Sequence, residues 1–180
     1  MKIINRVILV TAALICFVII TYSGESIEEM LPRIQDKPIE VLHEEEFDQG
    51  TIVFYQHVGL KNEDLSFAYF RKRLVGGYKL LTSGTQSVSS GLSHHGVSFT
   101  DMAEMNGEFP PICFGLIGNE EISDVKVIEK RRNIEQATEI IKTNDKRFWI
   151  CELENFQGTE WTLIGLDEVG EEILKIETNI

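Results

Sequence analysis

Cysteine is nearly missing, with three in 180 residues: Cys16, Cys113 and Cys151. A chain so poor in cysteine is no disulfide-stapled miniprotein and has to hold itself together with a hydrophobic core. Positive charge is the second shortage, 17 lysines and arginines standing against 29 aspartates and glutamates. With Lys2 and Arg6 set aside, the chain from residue 23 onward keeps 15 basic residues against all 29 acidic ones, a formal charge of −14. Such a surface repels nucleic acid and anionic lipid, so no nucleic-acid partner is expected. Catalytic patterns are scarce as well. Neither a G-x-S-x-G elbow nor a D-x-[DN]-x-[DN]-G calcium loop occurs, and no cofactor or metal is expected.

What is present is a long apolar run. Val7 to Tyr22, VILVTAALICFVIITY, is uncharged and follows Lys2 and Arg6, whereas Glu25, Glu28 and Glu29 come just after it. As a helix its 16 residues rise about 24 Å, close to a bilayer core if Ile3 and Ile4 join and Arg6 snorkels. Tyr22 is a poor neighbour for a signal-peptidase site, which favours an uncleaved anchor over secretion after cleavage. Ile15 before Cys16 argues against lipidation. The flanking charges place the amino terminus in the cytoplasm and the bulk of the chain outside. The expected organisation is therefore a signal anchor at residues 1–22, a stalk at 23–36 and an extracytoplasmic β-rich domain at 37–180.

In the stalk, Ser26 and Glu29 match a capping box, predicting a short helix that Pro32 soon interrupts. A second start at Asp36-Lys37-Pro38 precedes Ile39, Leu42 and Phe47, whose spacing predicts a brief amphipathic helix. His43 with Glu44, Glu45 and Glu46 is read as the solvated face of that helix rather than a metal site.

After Gly50 the texture turns to strands. Thr51 to Tyr55 and Leu65 to Phe70 are β-branched, aromatic or alternating, Arg71-Lys72-Arg73 reads as a solvent side paired with carboxylates, and Gly76-Gly77 marks a turn. Ser83 to Thr100 is read as a hydrated loop, and Met102 to Pro111 as a connector. Ile112–Ile117 reads as a buried strand, with Ile122 to Glu129 as its partner. Ile134 to Lys142 is taken as a strand, although Ile134, Ala137, Ile140 and Ile141 also fit a helical stripe. Arg147 to Leu153 is the clearest interior strand, and Trp161 to Leu166 forms a hairpin with Glu171 to Thr178. Cys113 and Cys151 fall in apolar runs, where buried free thiols are favoured over a disulfide. The fold class expected is mainly β (α+β): a transmembrane helix, a short amphipathic helix, and one antiparallel β-sandwich or barrel-like domain.

Candidate chemistry clusters in SGLSHHG. Ser93 and His94 are the candidate catalytic residues, one residue out of register with a nucleophile elbow, and a serine's neighbouring histidine seldom serves as its base. His57, His94 and His95 are candidate binding residues, although adjacent histidines lack metal-ligand spacing. Trp161 is a candidate for stacking a sugar, with core filling as the other use open to this chain's tryptophans.

The succession VFY (53–55), LSFAYFRK (65–72), FGLIGNEEI (114–122), RFWICEL (147–153) and LIGLDEVGEEI (163–173) resembles uncharacterised small single-anchor extracytoplasmic proteins of Gram-positive bacteria. The resemblance implies a Gram-positive envelope and carries no catalytic residues across. Three functions compete: a membrane-tethered binding module for an unknown protein or cell-envelope component, an envelope hydrolase using Ser93 and His94, and a sensor of small ligands or cations.

Overall fold

The computed structural model describes residues 24–35, 37–59, 64–105, 107–136, 138–143, 145–153 and 160–179. The apolar run at residues 7–22 lies outside them, and no helix among the described residues is long and apolar enough to cross a membrane.

Helix α1, Ile27–Ile34, begins with the predicted capping box: Glu29 N donates to Ser26 Oγ at 3.3 Å and Ser26 N to Glu29 Oε2 at 3.1 Å. Pro32 does not end it. The proline sits in the last turn, where its missing N–H forfeits one bond of a short ladder while Ile27 and Leu31 remain buried.

Twelve strands follow among the described residues, arranged in three antiparallel four-stranded sheets. The first is a meander of β1 (Ile39–Phe47), β2 (Gly50–His57), β3 (Asp64–Lys72) and β4 (Tyr78–Ser87). The second combines β5 (Thr100–Met102), β6 (Ile112–Ile117), β9 (Glu139–Lys142) and β10 (Arg147–Glu152) in the order β5-β6-β10-β9. The third holds β7 (Asp124–Glu129), β8 (Ile134–Gln136), β11 (Glu160–Leu166) and β12 (Glu172–Asn179) in the order β12-β11-β7-β8.

Alternation along the strands explains how these layers stack. On β2, Ile52 and Phe54 face the second sheet, while Val53 and Tyr55 face α1. On β6, Ile112, Phe114 and Leu116 face the first sheet, while Cys113 and Ile117 face the third. The molecule is thus helix, sheet, sheet, sheet. Strands in the middle are covered on both sides, which is why β6 reads as an unbroken apolar run. Phe54 links the first two sheets, its ring centroid 4.7 Å from Phe114 and 4.9 Å from Phe148. Each such aromatic pair adds about 0.5–1.5 kcal/mol beyond its buried area. Gly115 is a forced choice: a Cβ there would lie 2.0 Å from Ser98 O, the carbonyl to which Trp149 Nε1 donates at 3.1 Å.

Four further expectations are overturned. Asp124–Glu129 is not the partner of β6, for β7 lies between β11 and β8 in the third sheet while β6 pairs with β5 and β10. Residues 39–47 form strand β1 rather than an amphipathic helix. A register shift between Val41 and His43 inserts one extra residue, so Leu42 is buried and His43 and Phe47 also turn inward. The bulge breaks the two-residue period and imitates the three-residue step of a helix. Residues 83–100 are not one loop, for they contain the end of β4, helix α2 (Ser89–His95) and the start of β5. Residues 134–142 are not one strand either. Gln136 ends β8 in the third sheet and Glu139 begins β9 in the second, so the chain changes layers between them.

Candidate functional site

Helix α2 is built on Val88 and Leu92, an i,i+4 apolar pair joined by the Leu92 N to Val88 O bond of 3.0 Å. Leu92 packs on the cluster between the first two sheets. Gly96 closes the helix, its N–H donating to Leu92 O at 2.9 Å, and its carbonyl accepts from Gly118 N at 2.8 Å and Asn119 N at 2.9 Å. The Ser93-His94-His95 stretch is therefore clamped to the β6–β7 connection. It lines an open cleft of about 800 Å³ with Ser89, Leu92, Gly96, Gly118 and Asn119.

The hydrogen bonds in that cleft decide its chemistry. Ser93 Oγ donates to Ser90 O at 3.2 Å, and His94 Nδ1 lies 2.8 Å from the same carbonyl. A carbonyl only accepts, so Nδ1 carries the proton. Although Ser93 Oγ is 3.3 Å from Nδ1, that nitrogen has no lone pair with which to take the hydroxyl hydrogen. His95 lies beside His94, ring centroids 6.2 Å apart. His57 is elsewhere: it shares the α1 face of its sheet with Tyr55, and its Nε2 meets Gln35 Oε1 at 2.8 Å. Gln35 Nε2 in turn donates to Tyr55 OH at 2.5 Å, so His57 helps fasten the end of α1. Among the described residues no three His, Cys, Asp or Glu side chains converge as a metal site would need. Trp161 is 3% exposed and stacks on Phe99 with centroids 3.3 Å apart, inside the layer between the second and third sheets.

A second cleft, of about 770 Å³, lies at the other end of the meander, walled by Phe47, Lys72, Phe109 and Pro111 among others. Sequence reasoning passed over its most unusual group, the buried carboxylate of Glu108. Glu108 Oε2 accepts from Tyr69 OH at 2.8 Å and from Arg71 Nε at 3.0 Å, while Arg71 Nη2 bonds Oε1. Both oxygens are engaged and the charge is balanced, so this is a clasp holding the connector on β3 rather than a free base. Burial pushes the Tyr69 phenol up, against the opposing pull of Arg71. The nearest signal in the sequence was Arg71 in a basic trio, since a strand cation needs a counter-charge.

Cys113 and Cys151 stand directly opposite each other on β6 and β10 and are free. Ladder phase explains why. Leu153 N donates to Pro111 O at 2.8 Å, so residues 111 and 153 form a hydrogen-bonded pair. Bonding type alternates along an antiparallel ladder, so the 113–151 pair is of the same kind. At such positions the Cα atoms are about 5.5 Å apart and the Cβ atoms at the wide end of about 4.5–5.5 Å, beyond the about 3.5–4.5 Å a disulfide spans. Burial pushes both thiols up, Cys151 to about 12 and Cys113 further.

The feature left over is an edge. Strand β4 is bordered only by β3 among the described residues, and Leu80 to Ser87 carries no charge. Lys72 N donates to Gln49 O at 2.8 Å, which fixes the ladder phase across β2, β3 and β4. It turns the backbone of Thr82, Gly84 and Gln86 towards β3 and that of Ser83, Thr85 and Ser87 outward. Tyr78, of the outward set, confirms the phase by donating its N–H to Glu25 O at 3.1 Å. A register shift leaves Leu81 bulged, so the regular open edge runs over Thr82–Ser87. The other long edges are guarded, β1 by Glu40, Glu44, Glu46 and its bulge, β12 by Glu172, Lys175 and Glu177. The β4 edge was invisible in the sequence because its polar, glycine-containing residues read as loop.

No known protein family, curated protein or solved structure matches the chain.

Proposed function

We propose that the protein is a binding module tethered to the outer side of a Gram-positive cell membrane by residues 7–22, and that it takes an extended segment of an envelope protein along β4. The observation that carries this reading is the edge at Thr82–Ser87, long, uncharged and open, on a molecule whose other long edges carry charges. An added strand gains affinity from main-chain hydrogen bonds and specificity from alternate side chains. At about 3.3 Å per residue, six residues offer roughly 20 Å of pairing. The hydrolase reading lacks a base in His94, whose Nδ1 is bonded to Ser90 O, and the cation-sensor reading has no three converging His, Cys, Asp or Glu side chains among the described residues.

A photo-crosslinking residue at Ser83 in living cells, followed by identification of the adduct, tests this. One discrete heterologous adduct is expected, and an adduct with a second copy of the chain would contradict a foreign partner. Thr85→Pro removes an outward N–H that the sheet does not use and blocks strand addition. Loss of hydrogen bonds worth about 1 kcal/mol each weakens capture about tenfold, whereas Thr85→Val, which loses the same 2.8 Å hydroxyl bond to Ser66 but keeps its N–H, should crosslink as before. Undiminished crosslinking in Thr85→Pro would refute pairing along β4.

A further inference from the structure

We infer that the turn between β3 and β4 seats in the lipid surface beside the anchor, so that the domain is held to the bilayer at two adjacent points. The inference rests on the tether reading above and adds a second membrane contact to it. The turn presents Leu74, whose side chain is fully exposed, and Val75, half-exposed, at its tip. From Arg71 to Lys79 the sequence RKRLVGGYK contains four cations and no acid, in a chain whose formal charge from residue 23 onward is −14. Arg71 is spent on Glu108, and Lys72 reaches Phe47 O and a cleft shared with Glu46 and Asp48. Arg73 and Lys79 are exposed and, among the described residues, have no carboxylate partner.

Position turns this exposed tip into a membrane contact. Gly24 packs backbone against backbone on the turn: a Cβ on Gly77 would lie 2.3 Å from Gly24 C, and one on Gly24 would lie 2.7 Å from Gly76 O. Gly77 also holds a φ of 67°, and its carbonyl accepts from Arg73 N at 3.1 Å, closing the turn. Tyr78 N to Glu25 O ties the next residue of the stem to the same strand. Tyr22, the end of the apolar run, is two residues from Gly24, and two residues reach at most about 7 Å. If the run fills the hydrocarbon core, the turn stands at headgroup depth, where an aliphatic tip flanked by arginine and lysine is stable and both cations meet lipid phosphate. The chain from residue 23 onward is acidic in sum and repelled by anionic lipid, so an apolar, basic turn next to Gly24 also sets which end of the domain faces the bilayer.

The test uses the full chain reconstituted into vesicles whose lipids carry brominated acyl chains, with Leu74→Trp as the reporter. Trp149 and Trp161 are buried in the core and give a constant background. Val169→Trp, in the exposed β11–β12 turn, is the control. The protein should float with the vesicles, the added emission of Leu74→Trp should be mostly quenched and that of Val169→Trp should persist. Adding Arg73→Glu and Lys79→Glu should reduce the quenching. Flotation with an unquenched Leu74→Trp, or with both reporters quenched alike, overturns the seated turn while the tether stands. Failure to float overturns both.

Discussion

At the scale of single residues, the structure turns on groups whose surroundings leave them one role. Cys113 and Cys151 are the plainest case, apposed in register yet in the bonding phase that holds their sulfurs apart. Both should label fully when the unreduced protein is unfolded, whereas a protected pair would contradict the ladder phase. Their pH dependence has a definite sign. A thiol whose folded pKa is raised, such as Cys151 from 9.0 to about 12, contributes stability that is complete below about 9 and is lost as pH climbs through that window. Thermal unfolding should hold level to pH 8 and then fall, and Cys151→Ala should flatten the fall; an unchanged slope would mean other groups set it. Gly115→Ala drives a methyl into the Ser98 carbonyl and displaces the Trp149 indole. A loss of about 1–3 kcal/mol is expected from urea unfolding, the range for overpacking a tight core.

At the scale of elements, legibility followed burial. Strands β6 and β10 were readable because layers on both sides demand apolar residues at every position. The capping box was readable because its reciprocal bonds are a local matter between Ser26 and Glu29. β1 was misread for the opposite reason: its bulge at Leu42 is decided by pairing with β2, which lies later in the chain. Leu42→Ala should therefore cost about 2–5 kcal/mol in chemical denaturation, as a buried core leucine does. Helix α2 hid behind serine and glycine, with only Val88 and Leu92 to betray it. The β4 edge could not be read either, since whether a polar strand is open or covered depends on which strand lands beside it. Of the candidate site residues, the structure gathers Ser93, His94 and His95 in one cleft, seats His57 against α1 and encloses Trp161.

At the scale of the whole molecule, three sheets and a helix form one stack, and Gly24, at its start, follows the apolar run of residues 7–22 in the sequence. An acidic chain, a basic-apolar turn packed on Gly24 and an open strand edge are the observations behind the proposal of a domain that stands on a membrane and offers β4 to its surroundings. The central claim is that the stack lies outside the cell. A membrane-impermeant amine reagent applied to intact cells tests it most directly, because exposed lysines such as Lys142 and Lys175 occur in the domain whereas Lys2 precedes the apolar run. Modification of domain lysines on intact cells to the extent seen after lysis is the predicted result. Domain lysines that react only once the cells are broken would contradict it.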